Sequence, residues 1–74
     1  MIEILHMVEA RIAYTAVVGS SRRYAKHRPV LAWVCAWDHE RNEQVLTGLI
    51  EWHGELRLAC DVDAGFYGFR EVKP

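Results

Sequence analysis

The chain has 74 residues, 51% of them apolar and 26% charged, which is the size and balance of one small globular domain spanning 1–74. A net charge of −1, two cysteines and a longest apolar run of eight residues (Val30–Trp37) exclude three classes: a generally basic nucleic-acid domain, a disulfide scaffold and a membrane-spanning helix, which needs about 20 apolar residues. The start, Met1-Ile2-Glu3, lacks a basic leader region, so the expectation is a soluble cytoplasmic protein with reduced thiols.

Residues 2–18 alternate. Ile2, Ile4, His6, Val8, Ala10, Ile12, Tyr14, Ala16 and Val18 fall on one side, and Glu3, Glu9, Arg11 and Thr15 on the other. Period two predicts a strand with one buried face. Seventeen residues exceed a normal strand, so a bend or break is expected near Glu9–Ala10, with one strand serving two sheets or two strands in succession. A helix over 2–12 competes, because Ile2, Leu5, Val8 and Ile12 nearly make a helical stripe. Gly19 ends the run. Residues 20–28 read as a basic loop or a short helical turn closed by Pro29.

Val30–Trp37 is apolar on both faces, with the bulk at Leu31, Trp33, Cys35 and Trp37. It predicts a central strand covered on both sides, by the rest of the fold or by another subunit. Residues 38–44 are polar and read as a hairpin loop. Val45–Trp52 and Glu55–Cys60 make a second hairpin. Opposed residues share a face, so setting Ile50 against Leu56, Gly48 against Leu58 and Leu46 against Cys60 requires a three-residue loop, Trp52-His53-Gly54, with Gly54 in a bulge. Residues 61–65 form a turn, Phe66–Phe69 a closing strand and 71–74 a tail. The predicted fold is mainly β: a small antiparallel sheet, or an SH3-like or OB-like barrel, of four to six strands.

Several groups are candidates for chemistry. Cys35, His39, His53 and Cys60 have the spacing C-x3-H-x13-H-x6-C, but Cys35 lies within a strand rather than on a turn, and the reading as core and surface residues is preferred to a metal site. Asp61 and Asp63 begin like an oxygen-ligand loop without its later acidic ligands. Ser20 and Ser21 lack a nucleophile setting, and no phosphate-binding glycine loop occurs. No catalytic residue, metal or cofactor is therefore assigned, and the expectation is a protein without enzymatic activity.

The clearest charge signal is the cluster Arg22, Arg23, Lys26 and Arg28, which carries +4 while the rest of the chain holds five Lys or Arg against ten Asp or Glu, or −5. With Tyr24 it combines phosphate-seeking charge and a stacking face, so a nucleic-acid-binding barrel using Arg22, Arg23, Tyr24, Lys26 and Arg28 is the alternative function. The leading expectation is a small interaction protein, an adaptor or inhibitor, that binds a protein partner or itself as a homodimer. Trp52, Tyr67, Arg22 and Arg23 are its candidate contact residues, because exposed Trp, Tyr and Arg anchor interfaces. Trp33 is assigned to the core.

Overall fold

A computed structural model describes residues 2–72. These residues form seven strands: β1 (Ile2–Glu9), β2 (Tyr14–Gly19), β3 (Lys26–Pro29), β4 (Ala32–Asp38), β5 (Glu43–Trp52), β6 (Glu55–Leu58) and β7 (Gly65–Glu71). Short 3₁₀ turns occupy Arg22–Tyr24 and Ala59–Asp61. All pairings are antiparallel, in a four-stranded sheet of order β1-β4-β5-β6 and a three-stranded sheet of order β3-β2-β7. The mainly β, antiparallel prediction holds, with seven strands rather than four to six, since residues 26–29, expected in or next to the basic loop, pair with β2 as β3 and only Arg22–Tyr24 forms the expected turn. The two sheets do not close into a barrel. Of the expected tail, Glu71 ends β7, and residues 73 and 74 lie outside the described residues.

The long alternating run breaks where its length requires. Residues 2–9 enter the four-stranded sheet as β1 and residues 14–19 enter the other as β2, so the competing helix over 2–12 does not form. The return run does the same, with β3 in one sheet and β4 in the other. The two runs pair on both sides of the break, from Ile2 opposite Asp38 to Glu9 opposite Ala32, then from Thr15 opposite Pro29 to Val18 opposite Lys26. They are one long hairpin folded over a corner. Backbone bonds hold that corner: the amide of Val30 donates to Tyr14 O (2.9 Å), that of Leu31 to Leu49 O (2.8 Å) and that of Ala10 to Leu31 O (3.4 Å). Strands that switch sheets this way are how two sheets pack at a steep angle.

The main core lies between the sheets. Ala16, Val18, Val30, Ile50 and Ala59 are buried there, with Tyr14, Trp33, Trp52, Phe66 and Phe69 packed against them. Trp33 is the hub, edge-on to Tyr14 (ring centroids 5.4 Å apart) and to Phe69 (4.9 Å). Its strand partner is Gly48. A Cβ at Gly48 would lie 3.0 Å from both the Phe69 ring and a Val30 methyl, so this glycine is what lets the second sheet approach.

The outer face of the four-stranded sheet carries a second cluster of Val34, Ala36 and Leu58, flanked by Ile2, Val45 and Leu49. Residues 59–61 follow on from Leu58, and the Cys60 amide donates to the buried Thr47 hydroxyl (3.3 Å). β4 is therefore central, as expected, and its small-residue face (Ala32, Val34, Ala36) is buried within the single chain.

The second hairpin corrects the predicted register. Trp52 pairs with Glu55, Ile50 with Arg57 and Leu49 with Leu58, across a two-residue His53-Gly54 turn. Both turn residues have positive φ (52° and 80°), as a type I′ turn requires, and its twist matches that of the strands. Leu46 instead faces Cys35 across β4 and is 80% exposed, Leu56 is 65% exposed, and Cys60 lies beyond β6. The parity rule was sound, but β5 is apolar on both faces. Val45 and Leu49 satisfy the rule as well as Leu46 and Ile50 do.

Two stability predictions follow from this geometry. Gly48→Ala is expected to lower unfolding stability by about 1–2 kcal/mol in urea titration, because the added Cβ would press on Val30 and Phe69, which come from different elements and would both have to shift by a few tenths of an ångström; a gain would show that the corner is loosely packed. His53→Asn is expected to raise stability by about 0.5 kcal/mol, since Asn tolerates positive φ better.

Candidate functional site

Strand alternation shapes the site. On β3, Lys26 and Arg28 share one face, while His27 turns to the other and its Nδ1 lies 3.2 Å from Thr15 Oγ1. Tyr24, at the end of the 3₁₀ turn, precedes them and is largely exposed. The turn sits tightly on β2 because residue 19 is glycine: a Cβ there would meet the backbone of Ala25 and Tyr24. Facing this wall is the tip of the second hairpin, Glu51 to Gly54, with Asp63 and Ala64 beside it. The two walls bound an open cleft of about 610 Å³.

Its electrostatics are balanced. Arg28 Nε donates to Glu51 O (3.0 Å) and its Nη2 to Glu51 Oε1 (3.2 Å), which ties β3 to β5 and so joins the two sheets. The Trp52 indole N–H donates to Asp63 Oδ1 (3.2 Å), and its ring meets His53 edge-on at 4.5 Å. The cleft thus holds two cations, Lys26 and Arg28, against two carboxylates, Glu51 and Asp63. Aromatic surface from Tyr24 and Trp52 lies at its two sides.

The candidate residues divide among three places. Trp52, Tyr24, Lys26 and Arg28 converge on the cleft. Arg22 lies over the Tyr67 ring (5.9 Å to the centroid), forming a separate patch on β7, where Tyr67 in turn crowds Gly65. Arg23 lies over the Tyr24 ring (5.6 Å). Glu51, His53 and Asp63 are cleft residues that sequence reasoning missed. No local pattern marks them, because Arg28 meets Glu51 across 23 residues of chain.

The cysteines and histidines weighed as ligands go to different sites. Cys35 Sγ accepts from Gln44 Nε2 (2.6 Å), His39 Nε2 lies 2.8 Å from Glu3 Oε1, His53 is in the hairpin turn and Cys60 is exposed. Among the described residues, no three His, Cys, Asp or Glu side chains gather as a metal site. Outside the cleft, the Arg57 guanidinium is held above its ordinary pKa, first by its hydrogen bond with Glu55 and then by that carboxylate's charge.

No protein-family model, curated protein or solved structure matches the chain, so function is argued from this geometry alone.

Arg28→Ala is expected to cost only about 0.5–1 kcal/mol in urea unfolding, less in high salt, because the Arg28–Glu51 link is partly exposed. A loss of several kcal/mol would mean that this link, rather than the aromatic core, joins the sheets.

Proposed function

We propose that the protein is a non-enzymatic interaction module, an adaptor or inhibitor in the cytoplasm, that docks a segment of a protein partner in the cleft between β3 and the β5–β6 turn. The observation that carries this reading is the convergence of Tyr24, Lys26 and Arg28 with Trp52 and His53, which lie far apart in sequence. A cleft with two aromatic sides, two cations and two carboxylates suits a peptide segment of mixed apolar and polar character. Two free thiols agree with a reducing compartment. Among the described residues no helix is long and apolar enough to cross a membrane.

The nucleic-acid alternative draws on Arg22, Arg23, Tyr24, Lys26 and Arg28. It is weakened because Arg28 is spent on Glu51 and the two other arginines lie over tyrosine rings. A phosphate backbone would meet a cleft whose charges cancel.

The test is affinity capture with matched variants that keep the wild-type circular dichroism. Tyr24→Ala with Trp52→Ala is expected to lose the captured protein, and Arg22→Ala with Arg23→Ala to keep it. Retention by the first pair would remove the cleft from the interface. The charge balance has its own test. The wild type is expected not to bind a single-stranded oligonucleotide at about 50 mM salt, whereas Glu51→Gln with Asp63→Asn, which leaves the two cations unopposed, should bind it with a steep salt dependence. Tight wild-type binding would favour the alternative.

A further inference from the structure

β1 is an unusual edge. It is the outermost strand of its sheet, eight residues long, and seven of the eight are exposed. Four of them are large and apolar: Ile4, Leu5, Met7 and Val8, each 43–52% exposed. Long apolar edges are normally shortened, charged or covered. The other edges here are guarded in those ways. β6 has four residues with Glu55 and Arg57 among them, β3 is Lys-His-Arg-Pro, and β7 is interrupted at Gly68, whose φ is +104°.

β1 also carries a bulge. Ile4 pairs with Ala36 and His6 with Cys35, so Leu5 is an extra residue. The bulge resets the alternation. Ile2, Ile4, Met7 and Glu9 lie on the outer face, opposite Asp38, Ala36, Val34 and Ala32, while Glu3 and Val8 lie on the inner face opposite Trp37 and Trp33.

We infer that a second copy of this chain docks on β1, strand to strand and antiparallel, about a twofold axis between Leu5 and His6. The register follows from the bulge. About that axis Ile2 faces the partner's Glu9, Glu3 the partner's Val8 and Ile4 the partner's Met7, and each pair lies on one face. Without the extra residue every one of these pairs would join opposite faces. The pleat locks side-chain face to the direction of the backbone N–H and C=O, so matching faces also match hydrogen bonding. At the axis Leu5 faces the partner's His6, and neither strand is left with an unopposed position. No glutamate faces a glutamate: Glu3 and Glu9 lie on opposite faces, and Glu3 is already engaged by His39. On the outer face, Ile4 and Met7 with the partner's Met7 and Ile4 form one apolar patch. The two sheets become one, by an isologous contact that closes at two copies. This inference is independent of the cleft.

The register makes the test specific. The wild type should sediment as a dimer. Ile4→Lys with Met7→Lys sets like charges opposite each other twice and should weaken dimerisation by roughly tenfold or more. Ile4→Lys with Met7→Glu sets opposite charges at the same two pairs and should restore the dimer in a salt-sensitive way. Both substitutions remove the same apolar surface, so a contact that is merely greasy would be lost equally in both. A monomeric wild type, a dimer unmoved by the first variant, or failure of the second to restore it would each overturn the inference. If the variants do not fold, amide exchange of the wild type decides. Protection along the whole of 3–9 that fades on dilution supports the pairing, and protection at alternate residues only, independent of concentration, overturns it.

Discussion

The fold depends on how closely two sheets approach at one corner. Gly48 sits on β5 opposite Trp33, with Val30 and Phe69 pressed to the distance that a missing side chain permits. That approach lets Trp33 reach Phe69 and Tyr14 edge-on at once, an arrangement worth about 0.5–1.5 kcal/mol per ring pair beyond burial. A small chain has little core to spare. The long runs 2–19 and 26–38 therefore do more than form strands. By bending together they place the first half of one run beside the second half of the other in each sheet, and the bend creates the interior that both sheets share.

The candidate site follows from the same bend. β3 reaches the hairpin tip of β5 only because the chain crosses the corner at Val30 and Leu31. Arg28 and Glu51 then meet across two sheets, and Tyr24 and Trp52 come to bound one cleft. β1, at the far edge of the first sheet, keeps four large apolar side chains in solvent, with Ile4 and Met7 on the outer face, away from the second sheet.

Much of this was legible in the sequence. Alternation over 2–18 and its excess length pointed to strand with a bend or break near residue 9, as one bent strand or two, against a competing helix, and the doubly apolar run 30–37 pointed to a strand covered on both sides. The hairpin register was not legible, because β5 is apolar on both faces and parity alone allows two answers. His53 in a left-handed conformation decided it, and a histidine does not advertise that conformation as asparagine does. The basic cluster was visible as charge, but its meaning was not. Composition cannot show that Arg28 is neutralised by a glutamate 23 residues away, or that Arg22 and Arg23 lie over tyrosines. Nor could period two alone reveal the bulge at Leu5.

The central claim is that a single bent hairpin brings two sheets together over Gly48. Nuclear Overhauser contacts of the Gly48 Hα protons test it most directly. The account predicts cross-peaks to both the Val30 methyls and the Phe69 ring, together with contacts from the Trp33 ring to Tyr14 and Phe69. Cross-peaks from Gly48 to its strand neighbours alone, with the Phe69 ring in contact elsewhere, would contradict it.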